Sequence, residues 1–175
     1  KNHPGSGYIA ERILLSDFTI TNSTLVLRKS CLKTISDFDE KIFIAADRDF
    51  ILRLAMNFKA FYLNKKLTGY RVGSGNTNQN LDIMLNEFLY LIDKNINQIS
   101  YLGQNFKNRC YSNVYYNFGK KYVNSNNMFL AKKYFIKSLN FSFFNKKILK
   151  ILIAIFMIYL FPNLLRTYFN KINNY

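Results

Sequence analysis

An α/β segment followed by an all-helical extension is the architecture this sequence predicts, on three observations. A β-branched run, Asn22 to Leu27, and two short stretches, Lys59 to Leu63 and Lys66 to Val72 with Asn64 and Lys65 between them, have the composition of strands. Between them Phe50, Ile51, Leu54, Ala55 and Phe58 recur at helical spacing. From Asn78 onward the apolar residues follow helical spacing alone. The divisions expected are 1–80 as α/β, 81–145 as a helical extension, and 146–175 as basic amphipathic helices.

In chain order, Gly7 to Leu15 predicts a helix that turns Tyr8, Ile9, Ile13 and Leu14 inward, and the strand Asn22 to Leu27 follows. The helix Arg48 to Phe58 comes next, with Asp47 where an N-cap would sit. Capping alone accounts for an aspartate there. Asp49 and Arg53 are four apart with the acid first, the favourable order for a helical ion pair, and are assigned to structural support. The hairpin leads into Gly73-Ser74-Gly75-Asn76, a turn whose free N–H groups suit phosphate as well as a plain bend.

Helical patterns then cover Asn78 to Ile99 and a pair within Gln104 to Leu139. In the pair, Tyr115, Phe118, Gly119, Tyr122, Ala131 and Phe135 fall on tetratricopeptide-like spacing, with Gly119 and Ala131 as the small residues that let two helices approach. Asn124 to Asn127 is the expected turn. Ile151 to Phe161 is an unbroken apolar run, stopped at Pro162 and flanked by Lys146, Lys147, Lys150, Arg166 and Lys171. It is short of the roughly 20 residues that span a bilayer. A buried core helix and a helix lying in an anionic interface both fit it.

Charge is divided unevenly. All ten acidic residues lie between Glu11 and Asp93, and residues 101–175 hold twelve Lys/Arg and no acid. Such a half suits an anionic membrane surface. A nucleic-acid partner is not expected, because no helix-turn-helix, RRM or zinc signature accompanies the charge. Cys31 and Cys110 are far apart without metal-ligand companions, which predicts reduced thiols. His3 is the sole histidine, so no Ser/His/Asp or Cys/His catalytic set can be assembled.

The order FDE at 38–40, ADRDFILRLA from Ala46, the hairpin, and YRVGSGN from Tyr70 resembles the acceptor half of family 2 inverting glycosyltransferases, over about Gly7 to Asn80. The resemblance implies a partial nucleotide-diphospho-sugar transferase domain of the A-type glycosyltransferase fold. It implies transfer of a sugar, with inversion, from a nucleotide-diphosphate donor to an acceptor hydroxyl on a cell-surface polysaccharide or lipid-linked glycan. Asp47 would be the general base, and Arg71 and Ser74 the candidates on the donor phosphate side.

Two positions depart from that family's pattern. Ala46 replaces the first acid of the pair, and Gly73 replaces the usual metal-ligating His. The resemblance implies Mn or Mg as cofactor, with no ligand for it identifiable here. It also implies that the donor-binding half lies outside this sequence, since no βαβ series leads in, and that the stretch alone is inactive. The expected location is cytoplasmic, peripheral at the inner face of the plasma membrane. The alternative is a non-catalytic, membrane-peripheral module that binds acidic protein or lipid.

Overall fold

The computed structural model describes residues 5–18, 20–35, 37–69, 80–142 and 148–173. They contain seven α-helices: α1 (Ala10–Leu14), α2 (Ala46–Asn57), α3 (Leu81–Ile96), α4 (Gly103–Asn124), α5 (Met128–Asn140), α6 (Ile148–Leu160) and α7 (Pro162–Asn173), with three short 3-10 turns. The chain divides into two compact units, residues 2–91 and 92–175.

The α/β expectation for the first segment is overturned, and with it the A-type transferase domain. Among the described residues there is no sheet. The only β-pairing among the described residues is one antiparallel bridge, in which Gly7 and Ala60 each donate a 2.8 Å hydrogen bond to the other. Asn22 to Thr24 forms a 3-10 turn, and Leu25 is extended, with φ −89° and ψ 126°, its N–H donating back to the Asn22 carbonyl at 3.0 Å. Val26 is 96% and Phe61 84% exposed. The composition suits strands, yet a strand exists only through a neighbour that takes its N–H and C=O groups, and apart from the Gly7–Ala60 bridge no ladder forms along Asn22 to Leu27 or Lys59 to Leu63 among the described residues. Lys66 to Gly69 is described without a strand, and the rest of that predicted strand, from Tyr70, lies outside the described residues.

Residues 2–91 are organised by α2. Asp47 and Asp49 place negative charge in its first turn, where the helix dipole favours it. Ile51, Leu52, Leu54 and Ala55 are buried along it, each large side chain worth about 1.5–3 kcal/mol relative to exposure. The helix stops where Phe58 turns extended, at φ −133° and ψ 150°. α1 supplies buried Ile13 and Leu14 against α2. Ile42, Ala45 and Leu91 form a further small core with Ala46 and Phe88 at its edge.

In residues 92–175 the helical pair expected from the spacing is present as α4 and α5, with Ser125–Asn127 between them. Asn126 takes the left-handed φ of 61° that asparagine tolerates, and Asn127 caps α5 by accepting the Leu130 N–H at 3.0 Å. A Cβ on Gly119 would lie 2.7 Å from the Phe135 ring, so only glycine admits this approach. Tyr122 stacks on Tyr134 at 5.2 Å, and Phe118, Ala131 and Phe135 are fully or almost fully buried.

Nearer the other end of the pair, three buried hydroxyls join the helices. Ser138 Oγ donates to the Ser112 carbonyl at 2.7 Å, Ser142 Oγ donates to the Ser138 carbonyl at 2.6 Å, and the Ser112 and Ser142 hydroxyls meet at 2.7 Å. Small polar side chains are tolerated there because each finds a partner. α6 packs on α5, and α7 packs on α4 and α6. Both cysteines are free thiols, Cys110 fully buried in α4 and Cys31 half-buried.

Candidate functional site

The start of α2 is where the sequence places its acidic residues, and its backbone is held from far along the chain. Asp39 Oδ1 accepts the Lys41 N–H at 3.0 Å, closing a turn. The N–H groups of Phe43, Ile44 and Ala45 all donate to the buried carboxylate of Glu87 on α3, at 2.9, 2.8 and 2.7 Å. Ala45 is therefore the capping position, and its N–H is satisfied by a side chain from another helix. Asp47, expected as N-cap, is instead the second residue of the helix.

Asp47 is half-buried, and its Oδ1 accepts the Arg48 N–H at 2.6 Å. Its Oδ2 has no hydrogen-bond partner among the described residues. Asp49 is fully buried and accepts from Arg53 Nε at 2.8 Å, while Arg53 Nη2 also donates to the Asp37 carbonyl at 2.9 Å. Arg48 donates to the Ile13 carbonyl and, at 3.0 Å, to Ser16 Oγ, with its guanidinium 4.8 Å from the Phe88 ring centroid. These bonds tie α2 to the segment before it and to the end of α1. Asp47 takes no part in the Asp49–Arg53 pair.

Arg71, Ser74, Gly73 and His3 lie outside the described residues. A divalent ion does not fit the carboxylates that are described. No three His, Cys, Asp or Glu side chains among them converge to hold a metal, Asp49 is engaged by Arg53, and Glu87 is engaged by three N–H groups.

Glu87 is the residue that the motif-based reading missed. Its signal was available: Met84, Leu91 and Asn95 lie three before, four after and eight after it, so Glu87 falls on the buried stripe of α3, where an acid needs several donors.

A second candidate surface lies on α6 and α7. Ile151 and Ala154 face inward, whereas Leu149, Leu152, Ile153, Phe156 and Leu160 are exposed at the spacing of one stripe. On α7, Leu165 and Phe169 are buried and Leu164 and Tyr168 exposed. Lys132 of α5 sits 4.4 Å from the centroid of Tyr159. No described helix is long and apolar enough to cross a membrane.

Comparison of the chain with family models, curated proteins and solved structures returned no match.

Proposed function

We propose that this chain serves glycosyl transfer, as the acceptor-side part of an inverting enzyme in which Asp47 takes the proton of the attacking hydroxyl. The observation that carries the reading is the state of the Asp47 carboxylate. It stands half-buried in the first turn of α2 with one oxygen bonded and the other open, while Glu87 takes the N–H groups of the chain entering the helix. Asp47 thus serves only the Arg48 N–H with one oxygen, and a general base needs a second oxygen of that kind without a hydrogen-bond partner. The substrate class rests on the resemblance of residues 38–76 to family 2 glycosyltransferases: a nucleotide-diphosphate sugar as donor and a glycan or lipid-linked hydroxyl as acceptor. The reaction concerns cell-envelope polysaccharide, and the protein acts in the cytoplasm, peripherally at an anionic membrane.

The test is sugar transfer by the full-length protein, wild type against Asp47→Asn, which keeps the acceptor oxygen for Arg48 N–H and removes the base. A loss of about 10²-fold or more in kcat with donor binding and folding unchanged is the expected result. Equal activity would make Asp47 structural.

A second reading is favoured by the exposed apolar stripe of α6 within an acid-free basic region. On that reading the chain is a non-catalytic, membrane-peripheral module. Absence of transfer by both forms across a donor panel, with vesicle binding intact, selects it.

A further inference from the structure

We infer that the α6–α7 hairpin is the surface that enters an anionic lipid interface, lying in the bilayer plane with the outer stripe of α6 among the upper acyl chains. The inference rests on the membrane-peripheral part of the reading above and assigns it to particular residues.

α6 is apolar on both sides. The fold uses one side, through Ile151 and Ala154, and leaves Leu149, Leu152, Ile153, Phe156 and Leu160 facing outward. A helix packed on the surface of a protein in water normally carries polar residues there. Its 13 residues reach only about 20 Å, well below the roughly 30 Å hydrocarbon thickness, so the stripe suits insertion along the interface rather than across it. α7 extends the same chemistry. Phe161 and Leu164 are exposed beside Arg166, and Tyr168 adds a ring with a polar tip of the kind that settles at head-group level.

Charge identifies the occupant. Residues 128–175 contain eight Lys/Arg and no acid. Lys150 on α6 and Arg166 on α7 are exposed, and Lys132 is held over Tyr159 at 4.4 Å. A second copy of this chain would bring the same positive charge to the contact with no carboxylate to meet it. Nucleic acid would meet the cations and could stack on Phe156, but it would leave Leu149, Leu152, Ile153 and Leu160 facing water. Anionic phospholipid satisfies both halves, with phosphates for the cations and acyl chains for the stripe.

The chain contains no tryptophan, so Phe156→Trp introduces a single indole emitter at the centre of the stripe. The full 175-residue variant is mixed with vesicles of phosphatidylglycerol and phosphatidylcholine, or of phosphatidylcholine alone, with brominated acyl chains as quencher. The expected result is blue-shifted, bromine-quenched emission on the anionic vesicles only, reversed by high salt. Leu152→Lys with Phe156→Lys, both at outward positions and checked for unchanged helicity, is expected to lower partitioning by at least about tenfold.

Binding to anionic vesicles with the indole emission of the Phe156→Trp variant unshifted and unquenched overturns this assignment and leaves the peripheral reading standing. Failure to bind vesicles of either kind overturns the peripheral reading itself. Blue-shifted emission without lipid, together with a sedimenting dimer, assigns the stripe to self-association and overturns the inference.

Discussion

Residues 2–91 and 92–175 are held together by different physics. In the first unit the decisive contacts are charged side chains reaching backbone: Glu87 to three N–H groups, Arg53 to the Asp37 carbonyl, Arg48 to the Ile13 carbonyl. Much of the chain there is irregular, and its polar groups would otherwise lack partners. In the second unit helices satisfy their own backbone, so the contacts that matter are rings against small residues, such as Phe135 over Gly119. The contrast teaches that one deleted charge threatens the first unit, whereas one added methyl group threatens the second.

The largest expected effect tests the first half of that contrast. Glu87→Ala removes the acceptor for three N–H groups at once, and a buried donor left without a partner costs about 1–3 kcal/mol. A loss of at least about 3 kcal/mol in urea unfolding is expected, with faster amide exchange at Phe43, Ile44 and Ala45. Glu87→Gln keeps acceptor capacity on one oxygen and should fall between. If Glu87→Ala unfolds at the wild-type midpoint, the first unit does not depend on this anchor and the contrast is lost.

Gly119→Ala tests the other half. The new Cβ would lie 2.7 Å from two carbons of the Phe135 ring, and that ring is fully buried, so it has no room to swing aside. Overpacking of this kind costs about 1–3 kcal/mol. The effect should appear as a lower midpoint with helix content retained. Adding Phe135→Leu should recover part of it, because the smaller side chain vacates the contested space. A stabilised Gly119→Ala, as helix propensity alone would favour, would show that α4 and α5 are less tightly packed than this geometry requires.

The same contrast governs how far the sequence revealed the fold. α4 and α5 were legible because a helix carries its own hydrogen bonds, and because Gly119, Ala131 and Phe135 mark the close approach in their spacing. The turn at Asn124 to Asn127 was legible for the same local reason. The strands were misread because a β-branched run reports suitability for pairing and not the presence of a neighbour, as Val26 at 96% exposure makes plain. Asp47 was placed within the correct turn of α2, but the residue at the capping position is Ala45, and the carboxylate serving it comes from 42 residues later. Only the period of α3 hinted at Glu87, and no local motif names its partners. Arg71 and Ser74 fall outside the described residues, so only the resemblance proposes them.

The smallest expected effect is an alkaline one, and it arises where a charged group does matter in the second unit. Asp93 accepts a hydrogen bond from the Tyr111 hydroxyl, and Lys107 approaches Asp93 at 3.5 Å and the Tyr111 ring at 5.7 Å. Burial first, then the bond to Asp93 and its negative charge, push the Tyr111 pKa well above its ordinary value of 10.0. Burial raises Tyr115 and Tyr116 as well. A phenol with a raised pKa stabilises the fold fully below pH 10.0, where both states hold the proton. Above that pH the unfolded chain ionises first, and the stabilisation falls as pH rises toward the folded-state value. Urea midpoints should therefore decline above pH 10.0, and Tyr111→Phe should make the decline shallower while leaving the share due to Tyr115 and Tyr116. An unchanged alkaline slope in Tyr111→Phe would mean that the Tyr111 hydroxyl is neither buried nor bonded to Asp93 in solution, and the second unit would then differ from the first by its ring packing and buried serine hydroxyls rather than by any charged contact.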